Sequence, residues 1–129
     1  MRSNNLLHAL TIVATATCLA MPIAAHAQAI SYTSGVINSD GSTHWGHGFT
    51  SQHLGTGDYQ LSFSAGAFPL HAPVFTCSSL GLNPNATICV IRKIIWHTTS
   101  PSTAEIKFYA RTDGSLQDNS FDFTEMTAN

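Results

Sequence analysis

Apolar and polar residues alternate along several short stretches of this chain, and this alternation constrains the fold more than any other feature. In the stretch "DYQLSF", Tyr59, Leu61 and Phe63 occupy every second position, and polar residues lie between them. Successive side chains of a β-strand point to opposite faces, so this strand has one apolar face and one polar face. Residues 104–112 repeat the pattern. The chain is therefore expected to build sheets with one buried face.

Turn residues separate the strand candidates, and no stretch has the apolar spacing of an amphipathic helix. The sequence predicts strands over 29–37, 73–79, 87–99, 104–112 and 120–124, and a hairpin over 48–63 with its turn at 55–58. The polar stretch 42–46 is expected to be a link, and 65–73 a loop with exposed apolar side chains. Seven or eight short strands predict an all-β fold, an antiparallel β-sandwich of jelly-roll type in a single domain.

The stretch "ICVIRKIIWH" is apolar on both faces except at Arg92 and Lys93. Strands that are buried on both faces have this composition. It therefore predicts a central strand with either a bulge or an emergent strand end at the charged pair.

The first 27 residues have the pattern of a secretory signal peptide. Arg2 precedes an apolar run from Leu6 to Ala25, and the small residues Ala25 and Ala27 flank His26 in an Ala-x-Ala cleavage site. Cleavage would leave residues 28–129 as one domain, secreted to the extracellular space or the periplasm and without a stable membrane span. An uncleaved membrane anchor is the alternative interpretation.

Cys77 and Cys89 are the two cysteines that follow this segment. An even pair in an exported chain predicts a disulfide. The alternative, a reactive free thiol, needs surroundings that lower the thiol pKa, and the apolar neighbouring residues do not suggest them.

The chain carries 5 Lys and Arg residues against 7 Asp and Glu residues, a formal net charge of −2. A nucleic-acid partner needs a basic face, so this composition argues against one.

The stretches "GFTSQHLGTGDYQLSF" and "GSLQDNSFDF" resemble the hairpin and the terminal strand of complement globular-head and tumour-necrosis-factor-like jelly rolls. Short secreted bacterial modules and fibre tips are the nearer comparison. The resemblance implies that five aromatic residues lie in the core: Phe49, Tyr59, Phe63, Phe121 and Phe123. It also implies assembly as a homotrimer and ligand binding through surface loops.

Five histidines follow the predicted cleavage site: His44, His47, His53, His71 and His97. On one strand, His47 and His53 would lie roughly 20 Å apart, too far to share a metal ion. His44 and His47 could chelate together only with help from elsewhere in the chain, so no metal site and no cofactor is predicted.

No motif predicts catalysis. A Gly-x-Ser-x-Gly nucleophile elbow does not occur, and Asp40, Asp58, Asp113 and Asp118 lie beside Gly or Asn, where they suit turns. The remaining acidic residues are not placed as an acid and base pair. The enzyme alternative is a small hydrolase or metal-binding protein that uses His44 and His47.

Aromatic residues outside the alternating pattern point to binding. Trp45 lies in a polar, Gly-rich link and Phe68 in a proline-bounded loop, and loops on a rigid sandwich often carry binding sites. The candidate ligand-binding set is His44, Trp45, His47, Phe68 and His71. The preferred function is a non-enzymatic binding module for a surface glycan or protein. Two alternatives remain open: the two aromatics cover an end of the sandwich, or the chain is a structural subunit of a surface or fibre assembly.

Overall fold

The computed structural model describes residues 29–81 and 87–128. It has eight strands: β1 (Ile30–Ile37), β2 (Thr43–Gly46), β3 (Phe49–Gly55), β4 (Asp58–Phe63), β5 (Val74–Ser79), β6 (Thr87–Ile95), β7 (Ser102–Ala110) and β8 (Phe121–Ala128). These ranges contain no helix, and therefore none long and apolar enough to cross a membrane. The predicted signal peptide lies outside the described residues.

The strands form two four-stranded sheets in which every pair is antiparallel. Sheet A has the order β2-β1-β8-β5, and sheet B has the order β3-β4-β7-β6. The chain crosses between the sheets four times, and its first and last strands pair with each other in sheet A. The prediction of an all-β antiparallel sandwich is confirmed.

The core between the sheets is largely aromatic. Phe63 of sheet B contacts rings of sheet A, with its centroid 5.5 Å from that of Phe75 and 6.4 Å from that of Phe123. The expected core residues Tyr59, Phe63, Phe121 and Phe123 are buried, and Phe49 packs against them from the rim. Burial of a Phe side chain contributes about 1.5–3 kcal/mol, so this cluster is a main source of stability.

The predicted disulfide between Cys77 and Cys89 is present. Cys77 lies on β5 and Cys89 on β6, which are edge strands of different sheets. The bond therefore joins the two sheets along one open side of the sandwich. The chain-entropy account gives such a short loop about 3 kcal/mol of stabilisation.

Besides shifts in strand ends, such as the extension of β8 to Ala128, the structure corrects the place of β6 and the predicted link at residues 42–46. β6 is an edge strand of sheet B, although its apolar composition predicted a central strand. Of the two alternatives for the charged pair, the bulge is present, between Ile91 and Lys93. Residues 43–46, expected to be a link, form the short strand β2 because they pair with the end of β1. Both differences depend on which strands pair with each other, and the pattern of residues within one strand does not specify its neighbours.

Candidate functional site

Trp45 lies on the outer surface of sheet A. It pairs with Val36 on β1, and Val36 pairs with Asp122 on β8. Phe121 and Phe123, the β8 residues on either side of Asp122, are buried. Because side chains alternate along a strand, the row of Trp45, Val36 and Asp122 points away from the core. Trp45 keeps 61% of its surface exposed. We call this outward surface of the four strands face A.

The backbone around β2 explains how Trp45 is held there. Asp40 accepts hydrogen bonds from the backbone N–H and the hydroxyl of Ser42, which closes the turn between β1 and β2. Gly46 has a φ of +113°, and a Cβ at this position would lie 2.6 Å from the carbonyl oxygen of Ser34. A glycine is therefore needed where the chain leaves sheet A directly after Trp45.

An apolar row crosses the other half of face A. Tyr32 on β1 pairs with Met126 on β8, and Met126 pairs with Val74 on β5. The three residues are 73%, 41% and 58% exposed, respectively. Ile30, two positions before Tyr32 on the same face of β1, adds to this apolar surface. Neighbouring strands lie about 4.8 Å apart, so these side chains form one continuous apolar strip.

Hydroxyl groups occupy the middle of face A. Ser34, Thr124 and Thr76 form the row between the apolar strip and the row of Trp45. Ser78 and Asp122 are neighbours in the row of Trp45. Asp122 is the only charged residue among the paired outward positions of this face. The paired outward positions of face A thus carry one charged residue, with Trp45 in the first row, a row of hydroxyl groups next to it and the apolar strip of Tyr32 beyond that row.

Three of the predicted ligand-binding residues stay together in the structure. The pairing of β1 with β2 is irregular: Val36 pairs with Trp45 and Ile37 with Thr43, so His44 is the extra residue of β2. His47 directly follows β2, and both histidines are exposed. They therefore flank Trp45 at the edge of face A.

The two other predicted residues lie elsewhere. The carbonyl oxygen of His71 accepts a hydrogen bond from Thr127, five positions along β8 from the row of Trp45, which is roughly 17 Å. Phe68 is only 2% exposed and packs against Phe63, with the ring centroids 5.2 Å apart. Phe68 therefore closes an end of the core, as the alternative interpretation held, and has no surface to offer a ligand.

Sequence reasoning missed a contact between His53 and Asp118, at the end of the core away from Phe68. His53 Nε2 lies 2.8 Å from Asp118 Oδ1, and the His53 ring stacks on Tyr59 with centroids 4.9 Å apart. The backbone N–H of Gly57 donates to the same Asp118 oxygen at 2.7 Å. This N–H first, and then His53, lowers the pKa of Asp118 below its ordinary value.

This cluster ties the β3–β4 turn to the loop before β8. The Tyr59 hydroxyl donates to the carbonyl of Ser39 and accepts from the backbone N–H of Asn119, so its polar atoms are used in structural bonds. Asp118 was expected to serve a local turn, and only the fold brings it next to His53. In the described ranges no group of three or more His, Cys, Asp or Glu side chains could hold a metal ion.

Glu125 is a buried carboxyl group on the inner side of sheet A. It is 2% exposed, and its Oε1 atom has no hydrogen-bond partner among the described residues. Burial raises the pKa of Glu125, and hydrogen bonds from Thr33 and Thr127 partly oppose this rise. Glu125 lies beneath the strip of Tyr32 and Met126 but points to the other side of the sheet.

Comparisons with protein-family models, with curated proteins and with solved structures give no match for this chain.

Proposed function

We propose that the chain is an exported, non-enzymatic β-sandwich module that binds a surface ligand, a glycan or a protein, through face A. The observation that carries the proposal is the exposure of Trp45 and Tyr32 on one flat sheet face with a single charged side chain. His44 and His47 extend this surface with imidazole groups that can donate or accept hydrogen bonds. The leader-like residues 1–27 and the Cys77–Cys89 disulfide support export.

The physical chemistry of face A supports contact rather than catalysis. Tyr, Trp and Met are enriched at interfaces, and charged residues are depleted at interface centres. Contiguous exposed apolar patches mark interaction sites, and an aromatic ring offers a large contact area with little conformational entropy to lose. Catalysis requires a nucleophile or base within hydrogen-bond reach of its partner. The His53 and Asp118 pair is already engaged in holding two loops together.

A second candidate function is that of a subunit in a homo-oligomeric surface assembly. The apolar strip of Tyr32, Met126 and Val74 favours it, because association would remove this strip from water. The resemblance of two stretches of the sequence to complement-head jelly rolls implies a homotrimer. In that assembly the row of Trp45 could remain open to a ligand.

The proposal is tested by binding of the exported protein to a glycan array and to a panel of immobilised secreted proteins. Trp45→Ala and Tyr32→Ala are each expected to weaken binding at least about tenfold, in the range found for truncated interface aromatics. Tyr109→Ala is the matched control, because Tyr109 lies outward on sheet B. Unchanged binding by both face A variants would overturn the proposal.

A further inference from the structure

We infer that the ligand of face A is an uncharged polysaccharide that lies extended and flat along the sheet. This inference rests on the proposed function and narrows it from a glycan or protein to one chemical class. It depends on three properties of face A: its charge, the spacing of its aromatic side chains and the position of its hydroxyl groups.

The charge of face A argues against anionic ligands. Its paired outward positions contain Asp122 and no Lys or Arg. Sulfated or uronate-rich glycans need cationic side chains, which supply charge-assisted hydrogen bonds to their anionic groups. An uncharged sugar chain needs no counter-charge, and the hydroxyl groups of a sugar can donate hydrogen bonds to the one carboxylate.

The aromatic spacing requires a ligand longer than one sugar ring. Tyr32 lies four positions from Val36 on β1, about 13 Å along the strand, and Trp45 lies one strand spacing further across. The two aromatic side chains are therefore anchored roughly 14 Å apart. A ligand that stacks on both must be extended over several sugar units.

The remaining surface complements such a chain. Ser34 lies between the two aromatic residues, and Thr124 and Thr76 continue its row across β8 and β5, where a sugar chain that is broad enough to cover these strands would find hydroxyl partners. Met126 and Val74 continue the apolar surface of Tyr32, and the C–H faces of pyranose rings can cover them. Because the face is a sheet surface, it suits a flat, repetitive polymer better than a free sugar that needs a walled pocket.

The test measures depletion of the full exported protein from solution by insoluble cellulose and by insoluble chitin, with soluble glucose and an anionic heparin matrix as comparisons. We expect retention on at least one uncharged polymer and no competition by glucose. Because no ion pair is involved, retention should also survive high salt. Trp45→Ala and Tyr32→Ala should each lower the association constant about tenfold or more, whereas Trp45→Tyr should retain much of it. Tyr109→Ala should bind like the unchanged protein, and thermal unfolding of each variant controls for the fold.

The outcomes separate the inference from the function on which it rests. Binding of a protein in the panel that is lost in Trp45→Ala, without retention on either uncharged polymer, overturns the inference and leaves the proposed function standing. Preference for heparin that disappears at high salt also overturns the inference. If no ligand binds and light scattering shows that Tyr32→Ala only dissociates an oligomer, both the inference and the ligand-binding function are overturned.

Discussion

The outer faces of the two sheets have similar backbones and different side-chain chemistry. On sheet B, Lys107 Nζ lies 2.9 Å from Asp58 Oδ2 and 3.3 Å from Glu105 Oε1, so the central strands carry a small ion-pair network. On face A the corresponding central positions carry Thr124 and Met126. Charged side chains keep a sheet face solvated and discourage contact with other molecules, whereas face A has little to oppose contact. This difference is the one that the proposed ligand contact on face A requires.

Sheet B also has exposed apolar side chains, but they are arranged differently. Ile88, Val90 and Ile95 follow the outward side of the edge strand β6, and Lys93 interrupts them. On face A the apolar strip runs across three strands and has no charge within it. A broad uncharged strip can be covered by one flat partner, while a narrow edge strip beside charged groups cannot be covered without desolvating them.

The most direct test of this difference between the two faces is to place a charge at the centre of each face. Thr124→Lys on face A is expected to weaken ligand binding at least about 100-fold, because the longer side chain would project into the contact and its ammonium group would have to leave water. Thr103→Lys is the matched change, since Thr103 is an outward, half-buried residue on β7, the equivalent inner strand of sheet B. It should leave binding unchanged. Binding isotherms that give the same loss of affinity for both variants would show that the ligand does not bind specifically to face A.

A second experiment compares an inward and an outward carboxyl group. Since the folded-state pKa of Glu125 is raised, its protonation stabilises the fold. The stabilisation is complete below the unfolded-state pKa and is lost as pH rises through the folded-state pKa. Glu125→Gln should therefore raise the free energy of unfolding by about 1 kcal/mol at neutral pH, and this gain should vanish towards pH 4.

Chemical denaturation of Glu125→Gln across this pH range is the measurement. Glu105→Gln is the control, because the outward carboxyl group of Glu105 pairs with Lys107. This variant should show no gain in the free energy of unfolding at neutral pH. A Glu125→Gln variant that is less stable than the unchanged protein at neutral pH would contradict the argument from burial.

The smallest effect is expected for Lys107→Met on the outer face of sheet B. The hydrogen bond to Asp58, and then that to Glu105, raises the pKa of Lys107, so the charged form is favoured in the folded protein. Its removal leaves two neighbouring carboxylates without a cation, and the melting temperature should fall slightly. Because such pairs are screened, the fall should shrink at high salt. A large fall that does not depend on salt would mean that Lys107 acts mainly through packing of its aliphatic stem.

Part of the candidate site could be predicted from the sequence, and the residues show why. Trp45 was identified because a large aromatic residue stands in a polar, Gly-rich stretch, and it is exposed as expected. Phe68 was identified by a similar argument and is buried, because its proline-bounded loop folds back over Phe63. The sequence does not single out Tyr32, because an aromatic residue within a predicted strand is common and carries no binding signal. It becomes part of a surface only when Met126 pairs beside it.

The sequence by itself determined the class of fold, the turns, most of the aromatic core and the disulfide between Cys77 and Cys89. These features depend on the period of two within each strand, on turn residues and on the number of cysteines, all of which are local or countable. Only the tertiary structure decided that β6 is an edge strand, that His53 meets Asp118, and that three strands distant in the sequence join their outward residues into face A. The physical reason is that alternation specifies which side chains point outward, whereas strand order and register specify their neighbours.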